Sequence, residues 1–459
     1  MELTGIRRFA SEKTLFVFSS VILFLMPASE IVAEILSHYY EMILPSIFHP
    51  FFFCLFGIIG TLVAVFYKCS EITAPEIRGK WYASDIFYLL MIFFMVVSAV
   101  FSTNPGLYGD GFLLNSENPM DFLGYFFLFY AGSRIRSSEY RKKLIVFFLI
   151  IEAAHGILAF FQTFDIQITE CLLTRHSGAA YGLTPNSNYY GGLSVFMLAC
   201  AAGVFLFSEL FGAKRPLRIL FAVFSGFIFY TMMGSRARLV WPGFAVMIVF
   251  YLISGLVMIK SKIDRAVLKR YFIRFLVLCM VFAAVFAVTH LFTDFVSEEI
   301  MRTQMEVDGT YDNGIGSDRL LLWRFGLESV PRHWLTGIGL DNYKQVFYEK
   351  FGDVDFYFFR TKAHNEFVQT LVTQGVFAFA FYMIVYIRTI VINVKKIFKD
   401  NDATSVFMNW VFLAMFITYL AQSFFNTSVR CVAPHFWLVL GLLNTCESPL
   451  LSLIKNNNN

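Results

Sequence analysis

Residues 360–382 read RTKAHNEFVQTLVTQGVFAFAFY, and this stretch indicates the kind of fold that the chain adopts. Its polar opening leads into an apolar run long enough to enter a bilayer, and a transmembrane α-helix needs about 20 mostly apolar residues. Such runs recur along nearly the whole chain, which is 57% hydrophobic and only 15% charged. Soluble domains have about 25% charged residues. The sequence therefore predicts an all-α, polytopic integral membrane protein.

The apolar runs predict about twelve transmembrane helices, of which the fourth and the last are short. Their approximate bounds are 14–36, 47–67, 82–102, 119–133, 144–164, 188–211, 216–233, 239–259, 271–292, 364–387, 405–425 and 434–446. Basic residues precede the first run, as in a signal peptide, but the run is long and no A-x-A site follows it. We interpret it as an uncleaved first span.

Lys and Arg in short loops tend to remain on the cytoplasmic side of the membrane. With twelve spans and an inner N-terminus, 25 of the 37 Lys and Arg residues fall in the inner segments. Both termini are therefore expected to be cytoplasmic. The predicted organisation is transmembrane helices 1–9 over residues 1–292, an extracytoplasmic loop with short helices over 293–363, and helices 10–12 with a cytoplasmic tail over 364–459.

The basic residues that remain outside are the informative ones. Eight lie in the loop 293–363, and four lie in short outer segments: Arg175, Arg236, Arg238 and Arg430. A cation there acts against the insertion bias and needs a partner or a role. For any single arginine, pairing with a carboxylate or a lipid headgroup is an equally good reading. Four of them beside a long outer loop indicate an anion-binding site.

The predicted outer loop 293–363 is too long for a simple connection, since loops beyond about 12–15 residues are usually functional or disordered. Its sequence predicts an amphipathic helix over 318–330, with Ser317 as N-cap and Pro331 as the residue that stops it. A Gly-x-Gly turn follows, and a second helix is predicted to start near Asp341. The loop is therefore expected to be folded.

Three stretches together resemble the O-antigen ligase and O-antigen polymerase superfamily of bacterial surface-glycan enzymes. The first is YGLTPNSNYYGGLSVFMLA (181–199), similar to the family's Pro-Asn element, and the second is MMGSRARLVWPGF (232–244), similar to its Ser-Arg turn. The third is SDRLLLWRFGLESVPRHWLTGIGLDNY (317–343) followed by AHNEFVQTLVTQGVFAF (363–379). It resembles the family's Arg-x-x-x-Trp helix, Gly-x-Gly turn and His-Asn helix start.

The resemblance implies transfer of an oligo- or polysaccharide from an undecaprenyl-diphosphate carrier to an acceptor hydroxyl, on the outer face of the bacterial cytoplasmic membrane. It implies His364 as the catalytic residue and Arg236 and Arg319 as diphosphate ligands. Further diphosphate candidates and supporting residues are Arg175, Arg238 and Arg324, and Asn186, Asn365 and Glu366. The expected partners are the lipid-linked glycan donor, a glycan or lipid acceptor and the bilayer. No metal, cofactor or nucleic acid is expected.

The residue types suit this chemistry. Arginine binds phosphate oxygens with a planar fork and keeps its charge, and beside a low-dielectric cavity it acts more strongly than in water. His364 is predicted in the first turn of a helix near Arg360 and Lys362. Because the helix dipole and both cations disfavour imidazolium, it is expected to be neutral and able to accept a proton. Asn365 and Glu366 are placed to orient the ring or the acceptor.

Other readings stay open on the sequence alone. A polymerase or a protein oligosaccharyltransferase shares these residues, because only the acceptor differs; the His-Asn helix favours the ligase. A transporter or flippase is less favoured, since the link GAKRPLR (212–218) between spans six and seven is short and no matching pair of broken helices is evident. A membrane scaffold protein without catalytic activity is a further alternative. It also stays open whether His364 is only a helix cap. A disulfide between Cys171 and Cys431 is a further open alternative.

Overall fold

The computed structural model describes most of the membrane-embedded chain. The described residues are 12–25, 60, 82–102, 117, 119–166, 179–184, 186–259, 264–293, 297–298, 300–301, 304–305, 308, 319–340, 342–352, 362–399 and 402–445. Within these ranges the regular structure is helical, and no β-strand is present. The all-α prediction is confirmed.

The principal helices of the described ranges follow the predicted apolar runs. They are α1 (12–25), α2 (Ala83–Val100), α3 (Pro119–Arg134), α4 (Ser138–Gln162), α5 (Ser187–Leu206), α6 (Arg215–Gly234), α7 (Val240–Ile259), α8 (Arg265–Phe292), α9 (Arg319–His333), α10 (Gln345–Phe351), α11 (Glu366–Lys399), α12 (Ala403–Ser423) and α13 (Ala433–Asn444). A short 3-10 helix, Ser208–Phe211, follows α5.

Eight of these helices are long and apolar enough to cross a membrane: α2, α4, α5, α6, α7, α8, α11 and α12. The chain is thus a polytopic membrane protein. The predicted short spans 119–133 and 434–446 coincide with the shorter helices α3 and α13. The predicted span 47–67 lies outside the described residues except for Gly60. The count of twelve and the sidedness stay predictions.

The bundle is built around α5, which is almost wholly buried and packs against α6, α7 and α12. Small residues make these close approaches possible, as is general for helices in lipid. A Cβ on Gly192 would lie 2.6 Å from Gln422 Oε1 of α12, and one on Gly203 would lie 2.8 Å from Val411. The helices that meet in the core are therefore held at fixed distances from α5.

Helix α11 is broken at Gly375, whose backbone (φ 79°, ψ 176°) is not helical. The turn 334–340 fills the break. Its amides Ile338 N–H and Gly339 N–H donate to the carbonyls of Val372 (3.1 Å) and Thr373 (2.9 Å). Ser98 Oγ of α2 also donates to the Thr373 carbonyl, at 2.8 Å. The Gly-x-Gly sequence is therefore a packing feature, since a Cβ on Gly337 would overlap the Thr373 backbone.

Two predicted boundaries in the outer loop are wrong. Helix α9 does not stop at Pro331 but continues to His333. Pro331 lies in the last turn of α9 and has no N–H to donate to the Leu327 carbonyl. Both residues are exposed, so water can donate to that carbonyl instead. The second helix begins at Gln345 rather than near Asp341. Ser317, Asp341 and Arg360 lie outside the described residues, as do Arg175 and Cys171.

Candidate active site

The segment 362–366, called here the His364 turn, leads into α11. Asn365 caps the helix, because its Oδ1 accepts hydrogen bonds from the amides of Phe367 and Val368, both at 3.0 Å. Gln369 Oε1 accepts from Ala363 N–H at 2.8 Å. These polar side chains satisfy the free amides of a helix start. His364 is half-buried and lies just before the cap, not inside the first turn as predicted.

Helix α9 packs against the His364 turn. Trp323 Nε1–H donates to the Ala363 carbonyl at 2.9 Å, and the indole contacts Phe425 with ring centroids 6.3 Å apart. Arg319 is the first residue of α9 and lies one helical turn before Trp323, so both share the face directed to this segment. Arg319 is half-buried. Arg324 instead is exposed and pairs with Glu328 at 2.8 Å.

Arg236 and Arg238 lie in the turn between α6 and α7. Arg236 Nη1 contacts Glu298 Oε2 at 2.9 Å, in a pair open to solvent; Arg238 is half-buried. The turn is fixed against the start of α5, because a Cβ on Gly191 would lie 2.7 Å from the Ala237 Cβ. The Arg236 guanidinium thus has a solvent-accessible anionic partner, which a diphosphate can replace.

Asn186 of the Pro-Asn element caps α5, since its Oδ1 accepts from Asn188 N–H at 2.8 Å. The segment before it is tied to neighbouring helices: Ala180 N–H donates to the Gly234 carbonyl at 2.8 Å, and Leu183 N–H donates to His155 Nδ1 at 3.1 Å. Asn186 therefore has a structural role in positioning the start of α5 beside the Arg236 turn.

These elements meet at one end of the bundle. Gly192, near the start of α5, contacts Gln422 near the end of α12. Directly after α12, Phe424 packs on Phe367 in the first turn of α11, with ring centroids 4.6 Å apart. The contact of Phe425 with α9 completes the chain of contacts. The predicted residues His364, Arg236, Arg238, Arg319 and Asn186 thus all lie on elements that gather at this end.

The backbone supplies an observation that the sequence could not. Among the described residues, three that are not glycine have positive φ: Asp165 (51°), Arg236 (55°) and His364 (49°). This conformation costs an L-residue about 1–2 kcal/mol. Asp and His adopt it several times more often than other residues, whereas Arg does not. Such strain clusters at functional sites, where the surroundings hold it in place. It falls here on Arg236, and His364 has the same left-handed backbone.

A buried polar cluster that sequence analysis missed lies beside the His364 turn. Glu117 Oε1 accepts from Tyr125 O–H at 2.7 Å and from Ser428 Oγ–H at 3.0 Å. Glu366 accepts from Ser428 N–H and from Tyr382 O–H. Burial raises the pKa of Glu117 to about 7, Lys362 lowers it and Glu366 raises it. No sequence signal identified Glu117, because its partner Ser428 is 311 positions away.

Arg430, predicted to lie in an outer segment, is explained by pairing. Its Nη2 lies 2.9 Å from Asp121 Oδ2, and both side chains are buried. This fits the alternative in which a cation in an outer segment is compensated by a carboxylate. Among the residues that the structure describes, no group of three or more His, Cys, Asp or Glu side chains could hold a metal ion.

Comparison with known proteins identifies the domain that holds these residues. A search of curated proteins finds no match. Residues 221–383, which include Arg236, Arg319 and His364, match the family model described as O-Antigen ligase. Asn186 and Glu117 lie outside the matched range. The match supports the resemblance seen in the motifs: over residues 221–383 the chain is similar to the O-antigen ligase family of membrane enzymes.

Proposed function

We propose that this chain transfers an oligo- or polysaccharide from an undecaprenyl-diphosphate carrier to an acceptor hydroxyl at the outer face of the cytoplasmic membrane. The match of residues 221–383 to the O-antigen ligase family supports a membrane enzyme of the glycosyltransferase type. In the proposed division of work, His364 is the base, and Arg236 and Arg319 bind the diphosphate. Arg175, Arg238 and Arg324 are secondary candidates for diphosphate binding.

The observation that carries this proposal is the positive φ of both Arg236 and His364. The two residues lie on separate elements, and each element is fixed by contacts that converge on the end of α12. At Arg236 a fold retains this cost of about 1–2 kcal/mol only where its surroundings impose it. The strained backbone of a predicted phosphate ligand and the left-handed backbone of the predicted base support a shared role for both.

The proposed reaction balances with these groups alone. A neutral His364 imidazole takes the proton of the acceptor hydroxyl as its oxygen attacks the anomeric carbon of the donor sugar. The bond between that carbon and the phosphate oxygen breaks, and the diphosphate carrier leaves with the electron pair. Arginine forks stabilise the charge that develops on the leaving oxygens. Glu298 pairs with Arg236 Nη1, and in this proposal the incoming diphosphate displaces it.

The test uses the full-length protein in lipid nanodiscs with an undecaprenyl-diphosphate-linked oligosaccharide. His364→Ala is expected to reduce transfer by 100-fold or more, since general bases contribute about 10²–10⁴-fold. His333→Ala is the control, because His333 is a half-buried histidine of the same domain that contacts Glu349. Normal transfer by His364→Ala would remove the histidine base.

The arginine fork is tested in the same assay. Arg236→Lys and Arg319→Lys are expected to raise the KM for the donor at least tenfold, because a point charge does not reproduce a bidentate contact. The exposed Arg332, at the end of α9, provides a matched Arg→Lys control. A KM unchanged in both site variants contradicts the diphosphate assignment. Analysis of the product separates the ligase, which moves the glycan to a new acceptor, from a polymerase, which lengthens it on the carrier.

A further inference from the structure

The buried cluster beside the His364 turn joins three distant parts of the chain. Glu117 precedes α3, Lys362 and Glu366 flank His364, and Ser428 lies between α12 and α13; all four of these cluster residues are buried. Ser428 bridges the two carboxyl groups, because its hydroxyl donates to Glu117 Oε1 (3.0 Å) and its amide donates to Glu366 Oε2. The cluster therefore fixes the His364 turn against α3 and the segment after α12.

The charges around the two carboxyl groups are unequal. Lys362, Glu366 and Asp121 act on Glu117, and Asp121 is compensated by the buried Arg430. The phenols that face the pair belong to Tyr88, Tyr125, Tyr382, Tyr386 and Tyr419. Lys362 is the cation that acts most strongly on Glu117, and the Arg430 guanidinium also interacts with it. Since a second buried carboxylate would be costly, the arrangement favours one proton on the pair.

The hydrogen-bond donors favour Glu117 over Glu366 as the carboxyl that carries that proton. Ser428 N–H can only donate, so the Oε2 of Glu366 that receives it must be an acceptor. As a residue of the first helical turn, an ionised Glu366 is also favoured by the dipole of α11. Glu117 instead faces the hydroxyls of Tyr125 and Ser428, and a hydroxyl accepts as readily as it donates. A protonated Glu117 can therefore donate to Ser428 Oγ with no change of position.

We propose that Glu117 gains and loses a proton near neutral pH, and that the acid–Ser428–carboxylate bridge to Glu366 in its protonated form is the positioning device that fixes His364 for transfer. Ionisation of Glu117 places two carboxylates on either side of Ser428 and loosens the His364 turn. Glu117 acts through Ser428 and Glu366 and is a positioning residue. The effect on transfer rests on the proposed function, whereas the proton on Glu117 does not.

The expected pH effect has a definite sign. Burial raises the pKa of Glu117 from 4.5 to about 7. Its protonated fraction then falls from about nine tenths at pH 6 to about one tenth at pH 8, an approximately ninefold loss of the positioned form. This loss occurs as pH rises. A histidine base has the opposite effect, because it becomes protonated and inactive as pH falls. In the pH profile of kcat, the acidic limb therefore reports His364 and the alkaline limb reports Glu117.

Infrared spectroscopy of the full chain in nanodiscs tests the proton without any substrate. A buried carboxylic acid band that disappears with a midpoint near pH 7 is expected in the wild type and is expected to be absent from Glu117→Gln. The control is Glu328→Gln, because Glu328 lies in exposed pairs with Arg324 and Lys350 on α9 and α10. A wild-type protein with no carboxyl band titrating between pH 6 and 8, or a band that survives in Glu117→Gln, overturns the inference.

The transfer profile tests the positioning role. Wild-type kcat is expected to fall about ninefold between pH 6 and 8, whereas Glu117→Gln keeps at least half of its pH 6 value at pH 8, because Gln can donate to Ser428 at any pH. Ser428→Ala removes the bridging hydroxyl and is expected to lower kcat at every pH without changing the donor KM. An unchanged alkaline limb in Glu117→Gln overturns the positioning role. Transfer that survives in His364→Ala contradicts the proposed base but leaves the infrared result standing.

Discussion

Replacing Gly375 with Ala tests whether the break in α11 is held by the turn 334–340. A Cβ at Gly375 would lie within 3.0 Å of the Leu335 carbonyl oxygen and of the Gly337 nitrogen, both backbone atoms. Gly352 is a matched control. Its backbone (φ 76°, ψ −163°) is nearly that of Gly375 (φ 79°, ψ 176°), but nothing lies within 4 Å of a Cβ there. The pair therefore separates backbone strain from steric overlap.

The structure gives the size of each effect. Both substitutions carry the strain of a backbone region essentially restricted to glycine, about 1–3 kcal/mol. Only Gly375→Ala also displaces the turn, and three backbone hydrogen bonds close the break: Ile338 N–H to Val372, Gly339 N–H to Thr373, and Val376 N–H to Trp334. At about 0.5–1.5 kcal/mol each, the loss of all three adds about 1.5–4.5 kcal/mol. Gly375→Ala is thus expected to be less stable than Gly352→Ala by that amount.

Titration with SDS in mixed micelles, followed by tryptophan fluorescence, measures both free energies of unfolding. Trp334 lies in the turn itself and is exposed, so a displaced turn is also expected to change its emission in folded Gly375→Ala. Transfer by Gly375→Ala is expected to fall, because the displaced turn moves α9 and with it Arg319. Equal free energies for the two variants would show that the turn adapts to a methyl group, and the packing argument for the Gly-x-Gly sequence would be wrong.

Three further predictions follow from charged contacts. Glu298→Gln removes the pair with Arg236 and is expected to lower the donor KM by about two- to fivefold, since exposed pairs contribute about 0.2–1 kcal/mol; a raised KM contradicts competition. Asp121→Asn leaves the buried Arg430 uncompensated and is expected to cost about 3–5 kcal/mol in SDS titration, while an Asp121→Leu, Arg430→Leu double variant recovers part of this loss. Because folding raises the pKa of Glu117, the folded state binds the proton more tightly, and wild-type stability is expected to decrease between pH 4.5 and about 7 by about 3 kcal/mol. Thermal unfolding of Glu117→Gln across that range should lack this decrease, and a parallel decrease in both proteins contradicts it.

The parts of the fold that depend on local patterns could be predicted from the sequence. Runs of apolar residues gave α2, α7 and α12 at nearly their observed positions, because a bilayer sets both the composition and the length of a span. The polar opening of α11 was correctly identified as a helix start, since Asn365 is a favourable N-cap. The predicted placement of His364 in the first turn was wrong, because His364 lies one residue before the N-cap Asn365.

Features that depend on distant contacts could not be predicted. The break at Gly375 has no local signal, because a single glycine is tolerated in a membrane helix. The N–H groups that donate to the carbonyls at the break come from the distant residues 338 and 339. The positive φ of Arg236 is equally invisible, since neither arginine nor its neighbours favour it. Pro331 was expected to end α9, but its effect depends on whether water can reach the carbonyl that it leaves open. Each case is decided by what lies beside the residue in space.

The difference between local patterns and distant contacts also explains why the charge of Glu117 can control the proposed site. Between membrane helices there is little hydrophobic driving force, so close packing and polar contacts set their relative positions. In the core, α5 is positioned by small residues, which do not titrate. At the candidate-site end, the His364 turn is positioned by Asn365, Glu366 and the Ser428 bridge to Glu117. A single proton on Glu117 therefore affects the geometry around His364 while the bundle stays unchanged.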